Sequence, residues 1–277
     1  MDSTWSIDTI TDDLFRTKFV TIPDILGEWM GDHGGLAGKD ILEFGCGEGT
    51  MALGLALRKS PARVVGVEIL DVHRNCLNIA RTQTGLQSLP AALQLHQIAP
   101  GQSLHEFGPF DFAFSWSVFE HVRQDMLETA LKSIAAVLRP GGHFFLQIDP
   151  LYYSANGSHL MPWVTTPWAH LALQQDLYHS ALLAAPPSSP ALRHAWSVYI
   201  SPDADIATER AALWETYVTL NKATAPQLCR LAEQTGFEIL RDYRTVDETP
   251  IPAALAEIYD TDILKTQQIV FLLRRTG

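Results

Sequence analysis

The sequence has few cysteines, a deficit of positive charge and no long apolar run. Cys46, Cys76 and Cys229 are its three cysteines, and no two have CxxC spacing. They cannot form a disulfide framework or a four-cysteine metal site, which favours a reducing compartment. Lys and Arg number 20 against 31 Asp and Glu, giving a net charge of −11. An acidic surface repels phosphate groups, so we expect no nucleic-acid partner and no membrane partner.

The apolar runs are also short. The segments 51–57 and 144–148 fall well below the ~20 residues that span a bilayer. The first residues, Met1 to Thr4, lack the basic start and apolar stretch of a signal peptide. We therefore expect a cytoplasmic protein. The sequence does not indicate its oligomeric state.

Short apolar segments alternate with longer helical patterns through the first half of the chain. Strands are predicted at 41–44, 64–67, 92–95, 112–115 and 143–148, with helices at 50–59, 72–82 and 118–138. A helical pattern over 11–30 precedes them; a helix at 224–235 and strands at 238–245 and 268–273 come last. This alternation predicts an α/β fold, a doubly wound Rossmann-like sheet covered by helices on both faces. The predicted organisation is a helical N-terminal cover (1–38), a core (39–150), an insertion (151–220) and completion of the core sheet (221–277).

The insertion has an unusual composition. It holds four of the seven Trp and five of the seven Tyr, but seven charged residues and no Lys. One interpretation is a small satellite core of buried aromatic side chains. The other is a substrate lid, because binding sites favour aromatic linings with a few polar groups.

A glycine-rich loop follows the first predicted strand. Gly45, Gly47 and Gly49 alternate there and lead into a helix, where a backbone without Cβ atoms can approach a ligand. Glu68 ends the next strand, where a carboxylate can accept both hydroxyls of a ribose. The loop and the acid together predict a site for a ligand that contains a nucleoside.

The details of these motifs resemble class I S-adenosylmethionine-dependent methyltransferases, of the branch that acts on small molecules or glycans. The dinucleotide fingerprint requires Gly or Ala at position 50, where this chain has Thr50. The chain reads instead Glu43-x-Gly45-x-Gly47-x-Gly49, and the segments 110–121 and 138–142 resemble the fourth strand and the turn before the fifth. The resemblance implies a seven-stranded sheet whose last strand is antiparallel, with the insertion after strand 5.

The same resemblance implies the cofactor S-adenosyl-L-methionine and the product S-adenosyl-L-homocysteine. The acid that often binds adenine after the third strand is absent, so we expect backbone groups near Ile98 and Ala99, or Gln97, to replace it. The expected cofactor-binding residues are Glu43, Gly45, Cys46, Gly47, Gly49, Glu68, Ile69, Ile98, Ala99, Ser115 and Trp116.

Methyl transfer needs alignment of the reactants and exclusion of water, and a hydroxyl acceptor also needs a base. His121, just past the fourth strand, is the first candidate; packing of the following helix is its alternative role. His159 and His170 in the insertion follow in that order, with structural roles as their alternatives. Tyr152, Tyr153 and Trp168 are expected to bind substrate.

A metal ion is not expected. Some quinone-biosynthesis O-methyltransferases hold a divalent ion with Glu-x-x-Glu-His, but this chain reads Ser117-x-x-Glu120-His121. A hard cation prefers carboxylate oxygen, so Ser117 weakens such a site.

The predicted function is therefore methyl transfer to oxygen with a histidine base. The alternatives are N- or C-methylation by proximity alone, a non-catalytic nucleoside-binding module and, last, a nicotinamide-dependent dehydrogenase.

Overall fold

A seven-stranded sheet forms the centre of the fold. The computed structural model describes residues 6–201 and 203–277. The strands run in the order β3-β2-β1-β4-β5-β7-β6, and β7 alone runs opposite to the other six. Their bounds are β1 Asp40–Phe44, β2 Arg63–Glu68, β3 Leu93–Gln97, β4 Phe110–Trp116, β5 Leu138–Ile148, β6 Phe237–Val246 and β7 Thr266–Arg275. The predicted seven-stranded sheet with an antiparallel last strand is confirmed.

Helices cover both faces of the sheet. Their bounds are α1 Asp13–Arg16, α2 Ile22–Trp29, α3 Thr50–Arg58, α4 Cys76–Thr84, α5 Leu127–Val137, α6 Ala169–Ala172, α7 Gln175–Ala184, α8 Pro190–Ala195, α9 Ile206–Thr219, α10 Ala225–Gln234, α11 Ala253–Ala256 and α12 Thr261–Lys265. One large apolar cluster joins α5 and α10 to the sheet, and a second joins α1 to α4 to its other face. Because strands β1 and β2 are covered on both sides, their apolar side chains are fully buried except that of Phe44, which is partly buried.

Helices occupy most of the segment 11–30, as predicted; residues 1–5 of the predicted cover lie outside the described residues. A π-helical segment, Thr17–Thr21, joins α1 to α2. No helix in the described part of the chain is long and apolar enough to cross a membrane.

The helix predicted over 118–138 is wrong in its first nine residues, 118–126. Two short 3₁₀ turns, Phe119–His121 and Gln124–Met126, precede α5. Asn221 is the physical reason: its side-chain amide donates to the carbonyl oxygens of Phe119 and Val122, and its backbone N–H donates to Glu120 O. These carbonyl groups would otherwise accept the hydrogen bonds of a continuing helix.

The insertion after β5 carries α6 to α9 and an apolar cluster of its own. Tyr178 and Leu213 are among its fully buried members. At the surface, the imidazole of His194 lies 2.7 Å from a carboxylate oxygen of Asp12, so the insertion also touches the N-terminal cover. Its boundaries as a unit and its role as a lid stay predictions.

Candidate functional site

The glycine loop between β1 and α3 closes tightly against β2. The N–H groups of Gly45 and Cys46 both donate to Val67 O, at 2.9 and 3.0 Å. Gly45 and Gly47 have φ of 79° and 51°, in the left-handed region that favours glycine. A Cβ on Gly45 would lie 2.5 Å from methyl groups of Val118, whereas a Cβ on Gly47 would meet nothing within 4 Å. Gly45 thus serves packing, and Gly47 leaves open space at the tip of the loop.

Glu68 holds the loop from the neighbouring strand. One carboxylate oxygen accepts the N–H of Gly47 at 2.8 Å. The other accepts the N–H groups of Ile69 and Leu70, at 2.8 and 3.1 Å. Glu68 therefore shapes the loop as well as offering a carboxylate at the carboxyl edge of the sheet.

In the segment after β3, the groups that were expected to bind adenine already make hydrogen bonds within the protein. The N–H of Ile98 donates to Glu68 O and that of Ala99 to the side chain of Gln102. The side-chain amide of Gln97 donates to Ile69 O. An adenine at Ile98 or Ala99 would have to displace these hydrogen bonds. The side chain of Ile69 is 50% exposed and free to pack on a ring.

Three of the expected cofactor-binding residues, Glu43, Cys46 and Ser115, have buried side chains. Their contact with the cofactor stays a prediction, and in this structure it would involve their backbone atoms. Glu43 is fully buried, and neither of its carboxylate oxygens has a hydrogen-bond partner among the described residues. Burial raises the pKa of Glu43 well above its usual value. The hydroxyl of Ser115 donates to Phe44 O and links β4 to β1, and Cys46 is buried beneath the loop. These side chains support the loop from below. Trp116 is half-buried and stacks on Phe145.

The structure brings together residues from three separate parts of the sequence beyond the end of β4. The rings of His121 and His159 are 5.1 Å apart, and the hydroxyl of Tyr199 lies 2.9 Å from His121 Nε2. The carboxylate of Glu120 completes the group; its potential ligand atom and those of the two histidines all lie within 4.8 Å of one another. Neither carboxylate oxygen of Glu120 has a hydrogen-bond partner in the described structure. We call these four residues the His121 cluster.

Burial sets the charge of this cluster. It lowers the pKa of His121 to about 3, with a further lowering from His159, and lowers the pKa of His159 to about 4. Burial also raises the pKa of Glu120 to about 8. Both imidazoles are consequently neutral at pH 7, and each has one nitrogen that carries a lone pair.

His170 makes its hydrogen bond to a residue outside the His121 cluster. Its Nε2 is 2.7 Å from Tyr152 O, and since a carbonyl only accepts, this nitrogen carries the proton. Burial lowers the pKa of His170 to about 4. The structure does not bring its ring into contact with His121.

The expected substrate-binding residues separate into two groups. Tyr152 is buried, with Lys222 Nζ 4.9 Å above its ring, and Tyr153 packs edge-on against it. Trp168 is fully buried and donates its indole N–H to Tyr153 O. In this structure the side chain of Trp168 supports Tyr153, and its contact with substrate stays a prediction.

A cavity of about 460 Å³ adjoins the glycine loop. It lies between the N-terminal cover, α4 and the segment of the insertion that precedes Tyr199. Phe15, Lys18, Glu48, Asn75 and Val198 are among its lining residues. The insertion thus closes one side of a cavity at the carboxyl edge of the sheet, where ligands bind in doubly wound folds.

Sequence reasoning missed Tyr199 and Asn221. Each follows a stretch without a motif, and each acts on residues about 80 to 100 positions earlier. The many aromatic residues of the insertion were the only signal that could have pointed to Tyr199.

Comparisons with known proteins agree with this geometry. A family model described as a methyltransferase domain matches residues 30–242. The ubiquinone biosynthesis O-methyltransferase of Acinetobacter baylyi is 33% identical over 119 residues, which are 42% of this chain and 47% of that protein. The chain thus matches about half the length of this curated relative.

Two solved structures show the same fold. An S-adenosylmethionine-dependent methyltransferase from Clostridium acetobutylicum has a TM-score of 0.52 at 12% identity, covering 94% of this chain and 92% of that one. The magnesium protoporphyrin IX methyltransferase of Synechocystis, solved with bound S-adenosylhomocysteine, has a TM-score of 0.51 at 12% identity, covering 94% and 84%.

The strand order, the glycine loop and the acid at the end of β2 define the class I fold of S-adenosylmethionine-dependent methyltransferases. The chain belongs to the methyltransferase-domain family whose model spans most of its length. The resemblance inferred from the sequence is confirmed, and with it the cofactor of the class, S-adenosylmethionine.

Proposed function

We propose that this chain methylates a hydroxyl group of a small-molecule or glycan-type acceptor, with His121 as the proton acceptor. The observation that carries the proposal is the pairing of His121 with Tyr199 beyond the end of β4. The partial match to a protein named for ubiquinone biosynthesis O-methylation supports transfer to oxygen, and favours an aromatic hydroxyl as the first acceptor to test.

Residues of the glycine loop and of β2 would hold the cofactor. Open space at Gly47 fits a ligand lying against the loop, and Glu68 and Ile69 offer a carboxylate and an apolar surface beside it. S-adenosylmethionine supplies the methyl group as a reactive sulfonium when it is bound. The protein then has to align the acceptor and exclude water, which can contribute about 7–11 kcal/mol.

His121 can take the proton of the acceptor through one ring nitrogen while the other is held in place. In the proposed tautomer, Nε2–H donates to the oxygen of Tyr199, and Nδ1 keeps its lone pair. Because burial lowers the pKa of His121 to about 3, the ring is neutral throughout the physiological range. Proton transfer to this weak base is favourable only as the bond from the acceptor oxygen to the methyl carbon forms.

His159 and His170 rank behind His121 as bases. Nε2 of His159 lies 3.4 Å from Pro150 O and faces the same cluster, whereas His170 is tied to Tyr152 O. Tyr152 and Tyr153 remain the proposed acceptor contacts.

The test compares His121→Ala with His105→Ala, an exposed histidine outside the site. Methyl transfer to a catechol probe is followed with labelled S-adenosylmethionine, and calorimetry with S-adenosylhomocysteine reports cofactor binding. We expect His121→Ala to lose about 10²–10⁴-fold in turnover with nearly unchanged cofactor affinity. The control should keep both properties.

Other outcomes would overturn parts of the proposal. Full turnover in His121→Ala and in the corresponding His159 and His170 variants would exclude a histidine base and favour N- or C-methylation by proximity. Cofactor binding without transfer to any acceptor in a cell extract would favour a non-catalytic module. Thermal stabilisation by NAD but not by S-adenosylhomocysteine would indicate a dehydrogenase.

A further inference from the structure

One residue from beyond the insertion, Asn221, makes three hydrogen bonds to the turn that follows β4. We call residues 117–122, which form this turn, the β4 turn. Asn221 is buried and lies just past the end of α9, the last helix of the insertion. Its amide nitrogen donates to Phe119 O and, at 2.9 Å, to Val122 O, and its backbone N–H donates to Glu120 O at 3.0 Å. A single residue therefore occupies three carbonyl groups of the β4 turn.

These three carbonyl groups decide between a turn and a helix. In a continuous α-helix the oxygens of residues 119, 120 and 122 would accept the N–H groups of residues 123, 124 and 126. The apolar periodicity favours that helix, since it predicts helix from residue 118 onward. Asn221 therefore acts against the local preference and holds the segment in the two short 3₁₀ turns of the structure.

The β4 turn is also fixed at its start, where it meets the glycine loop. Ser117 has φ of 50°, in the left-handed region, and its N–H and hydroxyl both donate to the side-chain oxygen of Gln147, at 2.8 and 3.0 Å. The methyl groups of Val118 occupy the space into which a Cβ on Gly45 would point. His121 lies near the end of the same turn. The conformation of the β4 turn consequently sets where His121 lies relative to the glycine loop.

We propose that Asn221 is a positioning residue for methyl transfer, which holds the β4 turn in the conformation that aims His121 at the acceptor. This inference rests on the proposed role of His121 as the proton acceptor. A displacement of about 1 Å at a reacting group can cost about 10²-fold in rate, so a turn that shifts by this distance would control turnover. Because Asn221 closely follows α9, the β4 turn is complete only while the end of the insertion is seated on the core.

The kinetic test uses two variants of Asn221 and one control in the full chain. Asn221→Ala removes both side-chain hydrogen bonds to the turn. Asn221→Asp keeps the shape and the oxygen that accepts the N–H of Ala223, but has no N–H to donate. The control, Thr224→Ala, removes the N-terminal cap of α10 three residues further on, and so lowers stability without touching the β4 turn.

We expect kcat with the catechol probe to fall by about 10²-fold in both Asn221 variants, with KM and the affinity for S-adenosylhomocysteine nearly unchanged. Thr224→Ala should have a lower Tm and the kcat of the wild type. Thermal melts show that each variant folds, and Asn221→Ala carries the test if the charged Asn221→Asp does not fold. Wild-type kcat in a folded Asn221→Ala would overturn the inference.

A double variant shows whether Asn221 acts through His121. Losses from residues that act as a unit are not additive, so adding Asn221→Ala to His121→Ala should cost little further turnover. The same fold-loss from Asn221→Ala in both backgrounds would overturn the positioning role and leave His121 as the base.

Amide hydrogen exchange reports the β4 turn without any need for turnover. Asn221→Ala frees the carbonyl group of Phe119, to which the N–H of Arg123 can donate in a helix, so the exchange rates of residues 117–123 should change. They should stay those of the wild type in Thr224→Ala. Wild-type rates in Asn221→Ala would overturn the inference. Full turnover in His121→Ala would instead overturn the proposed function, while a changed exchange pattern would still show that Asn221 holds the turn.

Discussion

At the scale of single residues, the glycine loop offers a test that separates ligand contact from backbone strain. Gly47 and Gly85 both have positive φ, 51° and 69°, and a Cβ on either meets nothing within 4 Å. Alanine should therefore strain both positions by about 1–2 kcal/mol. We expect only Gly47→Ala to weaken S-adenosylhomocysteine binding in calorimetry as well, because its Cβ would enter the space assigned to the cofactor.

The control variant Gly85→Ala shows whether a loss of affinity comes from contact with the cofactor or from backbone strain. Equal melting temperatures with unequal affinities would place the cofactor at Gly47. If Gly47→Ala binds as tightly as Gly85→Ala, the open space at the loop does not belong to the cofactor.

The second prediction at this scale concerns Glu68. Its carboxylate accepts three backbone N–H groups and is expected to accept ribose hydroxyls as well. Glu68→Gln should weaken S-adenosylhomocysteine binding by about 1.5–3 kcal/mol, the range for hydrogen bonds to a charged group. Adenine binding measured alone should change far less, and equal losses for both ligands would point to a collapsed loop.

The residues that could be identified from the sequence are those whose roles depend on near neighbours. Gly45, Gly47 and Glu68 stand in one strand–loop–helix–strand unit, where spacing predicts geometry. Tyr199 could not be placed, because its contact with His121 depends on how the whole insertion folds back. The burial of Glu43 was equally hidden, since a motif indicates which residue is present but not which way its side chain points.

At the scale of elements, a buried ionic group holds the insertion together. Glu209 in α9 is fully buried and pairs with Arg210 and Arg193, both at 2.7 Å. The hydroxyl of Ser188 donates to Glu209 as well and accepts the indole N–H of Trp163. The charges thus fix the proline-rich loop between α7 and α8 against α9.

Removing the charge of Glu209 should loosen the insertion while the core stays folded. Glu209→Gln leaves Arg210 buried without its counter-ion, at a cost of about 3–5 kcal/mol. We expect faster proteolysis between residues 160 and 220 and a higher KM for the acceptor. Glu215→Gln, an exposed position on the same helix, is the matched control. Unchanged proteolysis in Glu209→Gln would show that the aromatic cluster alone holds the insertion.

The observed bounds of a helix or strand agree with the predicted bounds where the local sequence pattern determines them. Strands β1 to β4 and α10, with its capping box between Thr224 and Gln227, lie close to their predicted positions. Strand β5 begins at Leu138, five residues before its predicted start, and includes the segment 138–142 that was predicted to be a turn. The segment 118–126 does not form the predicted helix, because the side-chain amide of Asn221, remote in sequence, donates hydrogen bonds to its carbonyl groups. Apolar periodicity carries no information about such a partner.

At the scale of the whole molecule, buried neutral histidines make stability depend on pH. The pKa of His170 falls from 6.5 to about 4 on burial. Between these values the unfolded chain binds a proton that the folded chain does not, so the free energy of unfolding falls as pH falls. His170 should account for about 2 kcal/mol of loss between pH 7.5 and pH 5.

Urea unfolding at the two pH values measures this loss. His170→Gln keeps an N–H donor for Tyr152 O but has no group that titrates there. Between pH 7.5 and pH 5 its free energy of unfolding should therefore fall by about 2 kcal/mol less than that of the wild type. The control His105→Gln, at an exposed position, should lose as much stability between the two pH values as the wild type does. Parallel pH dependence of His170→Gln and wild type would contradict the assignment.

The order of the strands also bears on how the chain folds while it is being synthesised. Strand β7 is the last to be translated, yet it lies between β5 and β6 and pairs with both. A nascent chain on the ribosome can pair the five parallel strands early, but one edge of β5 stays open and β6 has no partner in the sheet. Open strand edges recruit other chains. Ribosomes that stall before residue 266 should therefore yield aggregating fragments, although every residue of the glycine loop and the His121 cluster has already been made.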